Sequence, residues 1–126
     1  MYNLFAYFLS ITEISDMKNR TERLLMKLGC LVYYKGFNYL KDIVDMACED
    51  NSAIHNLSAR VYPRIAMKYS ATPAAIEHAI RTVIKRSWDD DPNRINGISA
   101  WKLNAQPSVK DFLSIVIGHL KYFTEE

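Results

Sequence analysis

The fold of this chain is decided by residues 71–88, ATPAAIEHAIRTVIKRSW. Thr72 is suited to cap a helix through its side-chain oxygen, and Pro73 suits the first helical position, where its missing N–H would have no partner. Apolar or small residues then recur at helical spacing and predict a buried face made of Ile76, Ile80, Val83, Ile84 and Ser87. The opposite face is slender at first and basic further along, and it carries Ala74, Ala75, His78, Thr82 and Lys85, with Glu77 and Arg81 at its edges.

A second, shorter helix is predicted immediately upstream of this one. Residues 62–69, YPRIAMKY, have helical character, and Ser70-Ala71-Thr72 remain as a tight connection. Two helices joined by about 3–4 residues, the second with a polar outer face, form the helix-turn-helix pattern. We therefore expect a helix-turn-helix at about residues 63–88, although such corners also occur in helical proteins with other functions.

Composition indicates one helical domain of ordinary globular character. The chain has 126 residues, of which 49% are hydrophobic and 24% charged, with only four glycines and four prolines. Alternation of the kind seen in strands is scarce, so the predicted class is all-α. The net charge of +2 permits nucleic-acid binding without requiring it.

The remaining helices are predicted from the same periodicity. We expect them from residue 16 to a stop at Gly29, at 37–48, at 54–62 up to Pro63, at 95–103, and after Ser108, which begins a capping-box-like pair with Asp111. The apolar run Cys30–Tyr34 is predicted to be a buried extended connector, and Asp89–Asn93 a solvated turn. Trp88 and Trp101 are interpreted as core anchors.

No pattern of residues indicates catalysis, a metal or a cofactor. The three histidines, His55, His78 and His119, have no ligand-spaced neighbours, and there is no phosphate-binding loop or nucleophile motif. Cys30 and Cys48 are expected to be partly buried thiols in a reducing cytoplasm. A small enzyme or ligand-binding domain would need a polar pocket, for which the sequence gives no sign.

The first eleven residues are apolar and aromatic but do not have the features of a targeting signal. They have no positive leading segment or cleavage site and are shorter than the ~20 residues of a membrane span. We expect residues 1–15 to form an arm or short helix, and residues 16–126 to form the helix-turn-helix domain, with no membrane association.

Several stretches together resemble one known family. They are residues 34–40 (YKGFNYL), 61–69 (VYPRIAMKY), 76–81 (IEHAIR) with Trp88, and 106–108 (QPS) with Asp111-Phe112. Their order and spacing are similar to those of the C-terminal, DNA-binding effector domain of the stage-zero sporulation master response regulator of spore-forming bacteria. The similarity extends from about residue 19 to 123.

The resemblance implies a sequence-specific transcription regulator that binds double-stranded DNA. In the family, domains of about six helices bind AT-rich boxes in tandem or in pairs, and the second motif helix enters the major groove. By position, the DNA contacts would fall on Ala74, Ala75, Glu77, His78, Arg81 and Thr82. Arg81 could read guanine or hold a phosphate, and Glu77 could accept from a cytosine amine. Lys68, Lys85 and Arg86 suit the DNA backbone.

The resemblance also implies a polymerase contact and raises two expectations about regulation. Family members use the turn after the recognition helix, here residues 88–101, to touch the sigma subunit of RNA polymerase. His78 stands where the family usually has arginine, and Ala74-Ala75 where it has serine-arginine, so the recognised box is expected to differ. With 126 residues, the chain is expected to act without the family's phosphoacceptor receiver domain. The alternative is an interaction module that pairs with a full-length regulator or with polymerase and has weakened DNA readout.

Overall fold

The computed structural model describes residues 20–122, in which all the regular structure is helical. Residues 20–27 are helical (α1), and five further α-helices follow: α2 (Lys35–Glu49), α3 (Tyr62–Tyr69), α4 (Pro73–Asp90), α5 (Pro92–Asn96) and α6 (Val109–Tyr122). A 3-10 helix (Asn51–Asn56) and a π-helical turn (Leu57–Val61) connect α2 to α3. The predicted all-α class is confirmed. The predicted N-terminal arm lies outside the described residues.

Helix α4 is the centre of the packing and contacts α2, α3, α5 and α6. Its predicted apolar stripe is buried as expected, including the small polar Ser87, whose hydroxyl donates to the carbonyl of Leu28 at the end of α1. Helix α2 approaches α4 so closely that a Cβ on Gly36 would lie 2.3 Å from the carbonyl oxygen of Ala79. The absence of a side chain at position 36 therefore allows the two backbones to pack together.

The segment before α3 differs from the single helix predicted at residues 54–62. Asp50 caps the 3-10 helix by accepting from the N–H of Ser52 at 3.0 Å, and its other carboxylate oxygen accepts from Arg60 at 2.7 Å. The chain continues through the π-helical turn into α3 without a break at Pro63. This is possible because Pro63 lies in the first turn of α3, where its missing N–H disrupts no hydrogen bond.

The prediction that the connector between α1 and α2 is buried and extended is wrong. Cys30 is buried, but Leu31, Val32 and Tyr33 are 41%, 51% and 77% exposed. After Gly29, whose φ is +90°, the chain turns sharply, and the N–H of Tyr34 donates to the carbonyl of Leu31 at 3.2 Å. A turn projects its side chains outward, so the apolar run is largely exposed instead of forming a buried strand-like segment.

The region after α4 also differs from the prediction. Asp89 and Asp90 belong to the last turn of α4, and Asp91 caps α5 by accepting from the N–H of Asn93 at 3.0 Å. The helix predicted at 95–103 is wrong, since α5 begins at Pro92 and ends at Asn96.

Beyond α5 the chain is irregular until α6. The side chain of Asn96 accepts from the N–H of Leu103 at 2.8 Å and so holds this stretch in a closed loop. Trp101 is 46% exposed and is no core anchor, whereas Trp88 packs partly buried against the core. The predicted cap of α6 is confirmed, because Ser108 Oγ accepts from the N–H of Asp111 at 3.1 Å.

Candidate nucleic-acid interface

The turn between α3 and α4 is set by local hydrogen bonds. Ser70 adopts the left-handed conformation, with φ 54° and ψ 47°, and its N–H bonds to the carbonyls of Ala66 and Met67. This ends α3. Two residues later, Thr72 accepts from the N–H of Ala75 at 3.1 Å and begins α4, with Pro73 in its first turn. The predicted motif is therefore formed, and α3 (Tyr62–Tyr69) has the bounds that were predicted for the shorter helix.

Helix α4 presents an exposed ridge along its length of about 27 Å. Ala74, Ala75, His78, Arg81 and Lys85 are exposed on it, and Glu77 and Thr82 are half-buried at its edges. The structure thus brings seven of the eight predicted site residues together on one helix. Apart from Pro73, the exposed residues of the first turn carry only methyl groups, which let its backbone approach another surface closely, and the positive charge lies further along.

Two of these residues form an ion pair on one flank of α4. Arg81 Nη2 lies 2.9 Å from Glu77 Oε2, and their side chains are 66% and 38% exposed. Below them is Tyr62, where burial, followed by the negative charge of Glu77, raises the pKa to about 12, while Arg81 acts in the opposite direction. A groove of about 480 Å³ separates this flank from the N-terminus of α6 and is lined in part by Gln106 and Lys110.

The two predicted lysines are both ion-paired. On the ridge, Lys85 Nζ lies 2.5 Å from the carboxylate of Asp89, one turn further along α4. Lys68 is the one predicted residue that the structure does not bring to α4. It lies on α3, and its ammonium is 2.9 Å from Asp42 of α2, which also accepts from the hydroxyl of Tyr69 at 2.6 Å.

Two features beside the ridge were missed by sequence reasoning. Asp42 fixes α3 onto α2 through residues 26 and 27 positions away, a separation that no local pattern encodes. Arg86 was predicted to suit the DNA backbone, but its partner was not foreseen: its guanidinium carbon lies 4.9 Å from the centre of the Tyr34 ring, which holds the cation over an aromatic face.

A comparison with protein families identifies the family of this chain. The family described as "Sporulation initiation factor Spo0A C terminal" matches residues 21–120. The chain belongs to this family. The resemblance inferred from the sequence is thereby confirmed, over nearly the same range. The Spo0A C-terminal family is a family of DNA-binding effector domains of the sporulation-initiation type, and it is not an enzyme family.

Two kinds of site were examined across the part of the chain that the structure describes. Between residues 20 and 122, no three side chains of histidine, cysteine, aspartate or glutamate converge closely enough to hold a metal ion. In the same range, no helix has the length and apolar character needed to cross a bilayer. The clustered aspartates 89–91 instead serve as ion-pair partners and as a helix cap.

Proposed function

We propose that this Spo0A-type domain is a sequence-specific DNA-binding transcription regulator that reads the major groove with α4. The observation that carries the proposal is the exposed ridge of α4. An α-helix fits the major groove, which is about 12 Å wide, and residues near the N-terminus of a recognition helix contact base edges. The methyl groups of Ala74 and Ala75 let that end enter closely and suit contact with thymine methyl groups.

The charged residues of α4 are assigned by their positions. Arg81 reads guanine O6/N7 or holds a phosphate, and Glu77 accepts from a cytosine amine. Because the two are paired in the free domain, DNA must offer both side chains replacement partners. An exposed pair of this kind contributes only about 0.3–0.5 kcal/mol, so the exchange costs little.

Backbone contacts are proposed for the lysines and for Thr82. Lys85 exchanges its ion pair with Asp89 for a contact with a DNA phosphate, and its position on the ridge supports this role. Lys68 is 61% exposed although it is paired with Asp42, so it can reach a phosphate from α3. In helix-turn-helix proteins the first helix crosses the DNA backbone, and such contacts orient the domain without reading sequence.

His78 lies at the centre of the ridge. Its side chain is shorter than that of arginine, so the domain is proposed to prefer a DNA box different from the one that an arginine at this position would select.

The proposal extends to partners and place of action. We infer that the domain acts in the cytoplasm, on the nucleoid, and binds DNA in tandem or as a pair. The region after α4, residues 88–101, is proposed to contact the sigma subunit of polymerase, and the exposure of Trp101 supports this. That the protein works without a receiver domain stays a prediction.

The test is fluorescence anisotropy with a randomised duplex pool and a scrambled control at two salt concentrations. We expect an enriched box to bind at least a thousandfold more tightly than the scrambled duplex and to weaken steeply with salt. Equal affinity for both duplexes would contradict the proposal.

A second function is favoured by one observation, the apolar character of the first turn of α4. If Ala74 and Ala75 mean that α4 no longer recognises DNA bases, the domain is an interaction module that pairs with a full-length regulator or with polymerase. Weak binding that does not depend on sequence, together with a stable complex with polymerase, would favour this alternative.

A further inference from the structure

Exposed apolar side chains are concentrated at the junction of α1 and α2. Seven large apolar side chains are exposed among residues 20–122, and four of them lie within eight positions of one another: Met26, Leu31, Val32 and Tyr33. The remaining three, Met67, Trp101 and Tyr122, are scattered along the chain. Clustered exposure of this kind on a soluble domain marks an interaction surface more often than scattered exposure does.

This apolar cluster borders a groove along α4. The groove has a volume of about 940 Å³, and its lining includes the apolar side chains of Met26 and Leu31 and the basic side chains of Lys85, Arg86 and Arg94. Arg86 is nine residues from Glu77, which corresponds to about half a turn around the helix at roughly 100° per residue. The groove therefore lies on the flank of α4 away from the Glu77–Arg81 pair.

The charge of the groove is predominantly positive. Four basic and two acidic side chains line it. Both acids are already paired, Asp89 with Lys85 at 2.5 Å and Asp90 with Arg94 at 2.6 Å. Arg86 is held by the face of Tyr34, and a stacked guanidinium keeps its N–H edge available for a carboxylate.

We propose that this groove binds an acidic amphipathic helix of a protein partner. The apolar face of such a helix covers Met26, Leu31 and Tyr33, and its carboxylates pair with Arg86 and its neighbours. The mode is helix-in-groove recognition, because the described chain offers no strand edge to which a peptide could pair. DNA fits less well, since phosphates gain nothing from an apolar wall.

The groove also includes Thr82 and Lys85 of the ridge proposed to bind DNA. A helix seated there covers both residues, so the partner and DNA exclude one another. This competition rests on the proposed function, whereas the docking itself does not. The surface thus provides a means of switching the domain off through a protein partner.

The docking is tested by NMR titration of amide shifts with a defined probe. The probe is a synthetic 14-residue helix with leucines on one face and glutamates on the other, and the control peptide has lysine in place of each glutamate. We expect saturable shifts confined to residues 26–33 and 82–94 with the glutamate peptide. Leu31→Ser and Arg86→Gln should each weaken binding roughly tenfold. Tyr122→Ser removes an exposed apolar side chain elsewhere and should leave binding unchanged.

Three outcomes would overturn the docking: no binding of the glutamate peptide, equal binding of both peptides, or shifts centred outside the groove. Sedimentation of the chain alone addresses a second copy as the occupant, and a dimer that Leu31→Ser dissociates would also overturn the proposal.

A competition assay with the enriched duplex separates the two proposals. Displacement of the duplex by the glutamate peptide supports mutual exclusion, and a ternary complex refutes it. If no duplex binds while the peptide still does, the DNA-binding proposal fails and the docking proposal stands.

Discussion

At the scale of single residues, Arg81 combines exposure with a partial restraint on its side chain. Its guanidinium is paired with Glu77 in the free domain, so the side chain is partly ordered before it meets DNA. An arginine that is ordered in advance loses less entropy when it binds. Arg81 is therefore the residue of the ridge from which we expect the largest effect on DNA binding.

We expect Arg81→Ala to weaken binding to the preferred duplex by roughly 1–3 kcal/mol and to relax base preference at one position. Anisotropy against the enriched duplex and its single-base variants measures both effects. Arg60→Ala is the matched control, since it removes the same charge from a residue paired with Asp50 outside α4. An unchanged affinity in Arg81→Ala would remove Arg81 from the set of DNA contacts.

Tyr62 is expected to make the unfolding free energy of the domain depend on pH in the alkaline range. Its pKa is raised to about 12, first by burial and then by the charge of Glu77, so the folded state favours the neutral phenol. The stabilising contribution is complete below pH 10, the unfolded value, and is lost as the pH rises towards 12. Between these values we expect the wild type to lose up to about 2 kcal/mol more unfolding free energy than Tyr62→Phe. Urea unfolding at several pH values measures this, and parallel profiles would contradict it.

At the scale of elements, the contact of α2 with α4 depends on the absence of a side chain at position 36. A methyl group there would lie 2.3 Å from Ala79 O and 2.6 Å from Val83 Cγ2, and neither the backbone carbonyl nor the buried valine can move away easily. The position of α4, and with it the orientation of the ridge, is thus linked to the start of α2.

We expect Gly36→Ala to destabilise the domain by about 1–3 kcal/mol, because overpacking separates the two helices. Gly118→Ala in α6 is the control. A Cβ there has no neighbour within 4 Å, so the better helix propensity of alanine should stabilise the domain by up to ~1 kcal/mol. Thermal and urea unfolding of both variants give the comparison. Equal stability of the two variants would show that α2 and α4 can separate at little cost.

At the scale of the whole molecule, the two cysteines report on global and local opening. Cys30 is buried at the end of α1, and its burial raises the pKa of its thiol to about 12. Cys48 is only half-buried on α2, and burial raises its pKa. Because thiolates are the reactive species, neither thiol reacts readily in the folded state, but Cys30 also requires the core to open.

We expect iodoacetamide to modify Cys48 well before Cys30 under native conditions, with the rate at Cys30 following the free energy of global unfolding. Mass spectrometry of timed digests measures both rates. Adding Gly36→Ala should accelerate the reaction at Cys30 more than at Cys48. Equal rates at the two thiols would mean that the end of α1 opens independently of the core.

Much of this fold is determined by residues that are close together in the sequence. The stripe of α4, its cap at Thr72 and the cap of α6 at Ser108 each depend on residues within a few positions, and all three formed as predicted. The ridge of α4 follows from the same periodicity, since a helix with one buried face must expose the other. The candidate site could therefore be read from the sequence almost entirely, apart from the ion pairs that its charged residues make.

Tertiary structure decided the features that depend on distant residues or on the direction of the chain. The apolar run after Cys30 resembles a buried segment, yet its reversal after Gly29 turns three of its side chains towards solvent. The pairing of Asp42 with Lys68 and Tyr69 joins helices that no spacing rule connects. Local sequence determined the class, the motif and the exposed face of α4, because caps and periodicity act within a turn or two. Packing decided that the apolar run after Cys30 stayed exposed, because the exposure of such a run depends on what the rest of the chain covers.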